Sequence, residues 1–171
     1  MQHPRRGLAA FLVSALCAPA AWSAGTAQDA KLAEHGRYLV QVSGCNDCHT
    51  PGYLQNDGKA PAAQWLTGSA VGFQGPWGTS YPSNLRLLAD RLSEAQWLAR
   101  VRQPMRPPMP WFNLKAMSER DLLAIYRYLR AAGPAGAPAP AAAAPGVQVA
   151  TPYFDFTPKN LPSQVSSAGK P

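Results

Sequence analysis

Cysteine is scarce in this chain, with three residues among 171. Cys17 lies in an N-terminal segment that we expect to be removed, which leaves Cys45 and Cys48. So small a number excludes a scaffold held together by disulfides. A zinc site is also disfavoured, because it needs two ligands besides these cysteines. Cys17 and His3 lie in the segment expected to be removed, and His35 is ten residues upstream on a helical stretch. Any role for the pair must therefore come from the few residues around it.

Long hydrophobic runs are also missing. The segment 8–21 is apolar but too short to span a bilayer comfortably. Arg5 and Arg6 precede it and small residues follow, as in a secretory signal with cleavage after Ser23 or Ala27. We expect residues 1–27 to be a signal peptide and the mature protein to be periplasmic, without a transmembrane helix. An uncleaved anchor helix is the alternative.

Acidic residues are few, with 9 Asp and Glu against 16 Lys and Arg. Nine basic side chains fall within residues 86–130, which contain four acidic ones, so this stretch holds the positive surplus expected of the mature chain. A basic surface favours a redox partner with an acidic docking face, although a merely solvated face would have the same composition. Nucleic acid is a poor alternative, because the chain is predicted to be exported and shows no binding motif.

The string Cys45-Asn46-Asp47-Cys48-His49 has the C-x-x-C-H pattern that attaches a c-type haem. Two thiols at this spacing can each form a thioether with one vinyl group of the same porphyrin, and the adjacent histidine can bind the iron as proximal ligand. A thioredoxin-type redox pair would be expected near a βαβ pattern, and none surrounds the string. We therefore predict one covalent haem c per chain, with its iron bound by His49.

Three helices are predicted from periodicity and capping. The first covers residues 29–42, the second begins at a capping box on Ser93 and ends before Pro104, and the third starts after Ser118 and runs through Arg130. Gly36 inside the first helix suggests close approach of another helix. Residues 50–92 are predicted to be irregular. We place a single domain at 28–133, followed by a Pro/Ala-rich tail at 134–171, in which 20 of 38 residues are Pro, Ala or Gly.

The second axial ligand of the haem iron is predicted to be Met109. It stands between Pro108 and Pro110, and prolines fix the backbone dihedral angles of a loop that must hold a weak thioether donor on the iron. Met105 is a weaker rival, and Met117 is expected to pack in the core. His35 is awkwardly placed on the helix before the motif. Ligation by His49 and Met109 would leave no open coordination position.

The order of helix, C-x-x-C-H, long loop, methionine loop and final helix resembles the class I cytochromes c. The segments 75–85 and 107–111 are similar to the cytochrome c domains of bacterial dehydrogenase cytochrome subunits. The resemblance covers residues 29–133 and implies an all-α fold in which the first and last helices cross around the haem. It also implies a backbone carbonyl that accepts the Nδ1 proton of His49. Many such subunits carry two or three haem motifs, and this chain has one.

The combined features predict a single-electron carrier rather than an enzyme. One alternative is the electron-accepting cytochrome subunit of a periplasmic dehydrogenase complex, for which the aromatic residues in 153–156 would supply a docking segment. Another is a ligand-binding or peroxidase-like haem protein, which requires that Met109 does not coordinate. Tyr81, Asn84 and Trp97 are predicted neighbours of the haem propionates.

Overall fold

The computed structural model describes residues 21–159, so 1–20 of the predicted signal peptide and 160–171 of the predicted tail lie outside this range. No helix within the described residues is long and apolar enough to cross a membrane. Two single turns of 3-10 helix, Leu54–Asn56 and Ala62–Gln64, interrupt the loop after the C-x-x-C-H string. The six α-helices are α1 (Ala21–Val42), α2 (Cys45–His49), α3 (Leu85–Arg91), α4 (Glu94–Val101), α5 (Trp111–Ala116) and α6 (Glu119–Ala132). The strands are β1 (Gly72–Gly75), β2 (Gly78–Ser80) and β3 (Tyr153–Asp155).

The prediction of an all-α fold is wrong, because the three strands form a mixed sheet in the order β2-β1-β3. Strands β1 and β2 form an antiparallel hairpin, whereas β3 adds to the other edge of β1 in parallel. The strands are only three or four residues long, so they leave no alternating pattern in the sequence. The loop 50–92, expected to be irregular, thus contains this hairpin and also helix α3.

Helices α1 and α6 pack against each other at Gly36, which confirms the close approach inferred from this glycine. A Cβ atom at Gly36 would overlap the backbone carbonyl of Ala124 on α6. His35 beside it shares a 2.8 Å hydrogen bond with the Asp121 carboxylate. The buried core continues from this contact through Val40 and the inward side of α6, with Trp65, Leu66, Trp97, Val101, Leu122, Ile125, Tyr126 and Leu129. Tyr38, on the outer side of α1, is 58% exposed.

Side-chain caps fix where three helices begin. The predicted capping box of α4 is present, with Ser93 and Gln96 each bonding the other's backbone N–H. Ser118 caps α6 through the backbone N–H of Asp121. Asn84 caps α3 by accepting from the N–H of Leu87, a helix start that was not predicted. An asparagine before an apolar run is an N-cap signal, so α3 could have been predicted.

The C-terminal tail lies against the domain over the residues that the structure describes. Its first part bonds to the start of α3, where the Asn84 side chain donates to the carbonyls of Ala135 and Ala137 at 2.7 and 3.2 Å. Its second part forms β3, and the rings of Phe154 and Phe156 lie 5.7 and 5.4 Å from that of Phe73 on β1. The aromatic segment of the tail therefore docks on this domain.

Candidate haem-attachment site

Helix α2 places the two cysteines and the histidine of the C-x-x-C-H string on one side of a short helix. Gly44 before it has φ +69°, a left-handed conformation that turns the chain sharply out of α1. Residues three and four positions apart on a helix are neighbours, so Cys45 is adjacent to both Cys48 and His49. Both cysteines are free thiols and are partly exposed. Two sulfur atoms and one imidazole are thus presented together.

His49 is held by two hydrogen bonds on separate atoms. Its ring Nδ1 lies 2.8 Å from the backbone carbonyl of Ser83, and its own carbonyl accepts from the N–H of Gly68 at 2.8 Å. A carbonyl can only accept, so Nδ1 carries the proton and Nε2 keeps its lone pair. Among residues 21–159, Nε2 has no hydrogen-bond partner. Ser83 therefore supplies the carbonyl that the family resemblance implied without identifying.

Burial keeps the His49 imidazole neutral. Loss of solvent lowers its pKa, and the hydrogen bond to Ser83 offsets this only in part. A neutral imidazole with one protonated and one free nitrogen is the form that binds a metal ion. The residue is 8% exposed, so the surrounding protein also fixes the orientation of its ring.

The two thiols have raised pKa values. Burial, and then the negative charge of Asp47, raises the pKa of Cys45 to about 11, and the same two causes raise that of Cys48. Redox-active C-x-x-C pairs depend on a thiol whose pKa is lowered. The environment of Cys45 and Cys48 acts in the opposite direction, which favours the haem-attachment interpretation of the string over a dithiol redox centre.

A buried polar network holds α2 against the loop that follows. The Thr50 hydroxyl donates to the Asn46 side-chain oxygen at 2.7 Å and accepts from the backbone N–H of Leu66 at 2.8 Å. Gly68, with φ +84°, lets this part of the loop approach the chain at Asn84, where a Cβ atom would lie 2.8 Å from the backbone nitrogen. The C-x-x-C-H string is thereby packed beside the segment that contains Ser83.

Met109 lies half-buried in a short loop before α5. Its N–H donates to the Arg106 carbonyl at 3.2 Å, and its own carbonyl accepts from the N–H of Trp111 at 2.9 Å, so the backbone turns tightly on both sides of the residue. The Ser80 hydroxyl donates to the Pro107 carbonyl at 2.5 Å and joins the loop to β2. We call residues 104–110 the methionine loop.

One segment, 80–83, therefore contacts the surroundings of both predicted axial residues. Its first residue, Ser80, holds the methionine loop through Pro107, and its last, Ser83, holds the ring of His49. A four-residue stretch fixes the distance between these two contacts. The segment supplies a common support for helix α2 and the methionine loop, which would carry the two axial ligands.

The rival ligands are engaged elsewhere or remain beside Met109. His35 is paired with Asp121 between α1 and α6, and Met117 packs against the core, as predicted for it. Burial does not distinguish Met105 from Met109, because both side chains are half-buried in the methionine loop. The proline frame on both sides of Met109 still distinguishes the two.

The residues predicted to lie near the haem propionates have their polar groups bonded within the protein. Tyr81 shares a 2.5 Å hydrogen bond with Thr151, the Asn84 amide donates to tail carbonyls, and the Trp97 indole donates to the Leu122 carbonyl at 2.9 Å. By contrast, the buried indole nitrogen of Trp77 has no partner among residues 21–159. No sequence pattern signals this difference, since it depends on where distant backbone carbonyls lie.

The donor set fits a covalently attached haem. Two protonated thiols stand at the required spacing, and the adjacent imidazole has its Nδ1 bonded and its Nε2 free. A comparison of the chain with protein-family models, with curated proteins and with solved structures finds no match. The assignment therefore depends on the chemistry of these residues.

Proposed function

We propose that the chain is an exported, monohaem c-type cytochrome, related to the cytochrome domains of bacterial dehydrogenase subunits, that carries single electrons. The observation that carries this is the 2.8 Å contact from His49 Nδ1 to the Ser83 carbonyl, which leaves Nε2 free beside two thiols. Cys45 and Cys48 would attach the porphyrin through thioethers. His49 would bind the iron on one side and Met109 on the other.

When bound, haem supplies an iron centre that cycles between two oxidation states one electron apart. The protein's own contribution is to keep the same donors in place in both states. Ser83 fixes the imidazole ring, and Ser80 with the proline frame fixes the methionine loop. Because neither donor has to move, reorganisation during electron transfer is small, which suits a carrier better than a site for oxygen or peroxide.

The decisive experiment is an optical titration of the purified native protein and two methionine variants. The oxidised parent should show the weak red absorption band of sulfur-to-iron charge transfer, and Met109→Ala should lose it and bind carbon monoxide when reduced. Met117→Ala is the matched control, because its side chain packs against the core, and it should keep the band. A high-spin parent that binds carbon monoxide would instead show an open iron and a ligand-binding haem.

Covalent attachment is tested separately. Haem should stay with the parent chain after extraction with acidified acetone, and it should be lost from the double variant Cys45→Ala, Cys48→Ala. If acidified acetone removes the haem from the parent, and its pyridine haemochrome spectrum shows no thioether signature, attachment through these thiols would be contradicted.

Exposed arginines and an exposed aromatic residue in consecutive segments of the chain form the proposed docking surface for the redox partner. Arg100, Arg102 and Arg106 are exposed at the end of α4 and in the methionine loop, and Phe112 at the start of α5 is 61% exposed. Positive charge around a contact patch speeds encounter with an acidic partner, and salt screens the effect. Electron transfer with an acidic partner should therefore slow as ionic strength rises.

The aromatic end of the tail supports a second candidate, a cytochrome subunit of a periplasmic dehydrogenase. Tyr153, Phe154 and Phe156 are each close to 45% exposed although they pack on the sheet. Half-exposed aromatic rings in one place are a common feature of protein interfaces. Co-purification with a flavin, quinone or molybdenum subunit, lost in Phe154→Ser, would favour this candidate, and isolation as a free monohaem protein would favour the carrier.

A further inference from the structure

The described part of the tail, residues 134–159, does more than cover the sheet. We call it the C-terminal strap. Near its middle, the N–H and carbonyl of Ala143 pair with the carbonyl and N–H of Thr79 on β2, at 2.9 and 3.1 Å. The same Ala143 carbonyl accepts from the Arg106 guanidinium at 3.2 Å. One residue of the strap thus joins β2 to the methionine loop.

The strap is also held firmly on either side of Ala143. Before it, the Asn84 amide donates to two strap carbonyls. After it, Thr151 bonds the Tyr81 hydroxyl, and β3 pairs along β1. Tyr81 and Asn84 both belong to the connection between β2 and α3, which also contains Ser83. The strap is therefore fixed to the segment 80–83, which supports both His49 and the methionine loop.

We propose that the C-terminal strap is a positioning element that keeps the methionine loop closed over the haem, through the paired contacts of Ala143 with Thr79 and Arg106. This rests on the proposed function, since it takes Met109 as the axial ligand. With the strap seated, the loop is tethered to β2 twice, through Ser80 and through Ala143. With the strap lifted, only the Ser80 contact remains and the loop opens more often.

The close approach at Gly78 provides a selective way to lift the strap. Gly78 has φ +93°, and a Cβ atom there would overlap the Ala143 carbonyl, which is backbone and cannot rotate away. Gly146 is the matched control, because it has a similar φ of +79° and no atom within 4 Å of the place that a Cβ would take. Both substitutions to alanine strain a left-handed backbone, but Gly78→Ala alone displaces the strap.

The readout is binding of imidazole to the oxidised holoprotein, which competes with Met109 only when the loop opens. Loss of the two Thr79 contacts should raise the apparent imidazole affinity of Gly78→Ala by about tenfold over the parent and weaken the red band. Gly146→Ala should match the parent in both respects. An imidazole affinity in Gly78→Ala equal to that of Gly146→Ala would overturn the inference.

A second pair of variants avoids the glycine backbone. Arg106→Gln removes the tether from the loop side, and Arg120→Gln changes an exposed arginine of α6 in the same way. Only Arg106→Gln should bind imidazole more tightly, with the thermal unfolding midpoints of the two variants alike. Should Gly78→Ala not fold, equal affinities for this pair would refute the strap's role. A parent protein without the red band would refute ligation by Met109, and the positioning role with it.

Discussion

Substitution of Gly36 by alanine tests the packing of α1 on α6. In a solvent-exposed helix the change would stabilise the protein by about 1 kcal/mol, because alanine is the better helix former. Here the new methyl group would overlap the Ala124 carbonyl and lie 2.9 Å from the backbone nitrogen of Ile125. The obstacle is helix backbone, so the two helices must move apart, and overpacking of a core of this kind costs about 3 kcal/mol at the upper end of its usual range.

The balance of these two effects is a loss of about 2 kcal/mol, or about 8 °C in thermal midpoint for a domain of this size. Far-ultraviolet circular dichroism of the holoprotein during heating measures it. Gln41→Ala, an exposed change on the same helix, is the control and should move the midpoint by no more than about 2 °C. A Gly36→Ala protein as stable as the parent, or more stable, would show that the helices do not approach at this residue.

Two further predictions concern charged side chains. The hydrogen bond from His35, and then that from the Ser118 hydroxyl, holds the pKa of Asp121 below its usual value. The ionised Asp121 carboxylate therefore stabilises the folded protein at neutral pH. This stabilisation is lost as pH falls below about 4, through the lowered pKa. Asp121→Asn should lower the thermal midpoint by only about 2 °C at pH 7, because the pair of His35 and Asp121 is about a third exposed. The difference in midpoint from the parent should vanish on acidification. A difference that stays constant down to about pH 2 would contradict this. Arg102→Glu should slow reduction of the protein by an acidic blue-copper protein about threefold at low salt, whereas the control Lys31→Glu on α1 should not. Equal rates for the two variants would show that the partner does not dock at the methionine loop.

Local signals in the sequence were sufficient for the elements that depend on neighbouring residues. The capping box at Ser93 predicted the start of α4, and Gly36 predicted a close helix contact. The C-x-x-C-H string defined the candidate site, because its chemistry is contained in five consecutive residues. Asn84 before an apolar run is likewise a local signal, for the start of α3.

The remainder depends on contacts between residues far apart in the chain. Strand β3 forms because it can pair with the open edge of β1, about 80 residues earlier in the chain. Its three residues are too few to show an alternating hydrophobic pattern in the sequence. Likewise, Arg86 is buried without an acidic partner among residues 21–159. Its guanidinium instead donates to the carbonyls of Ala63, Ala132 and Gly133 around the end of α6. Neither arrangement can be inferred from composition or spacing.

The parallel addition of β3 to β1 requires distant parts of the chain to meet. The hairpin of β1 and β2 closes over two residues, whereas seating β3 closes a loop of about 80 residues, at an entropic cost of about 4 kcal/mol. The contact of α1 with α6 at Gly36 and Ala124 spans a similar separation. Such non-local contacts slow the folding of a domain. Once formed, β3 covers an edge of β1 whose unpaired backbone groups could otherwise pair with another chain.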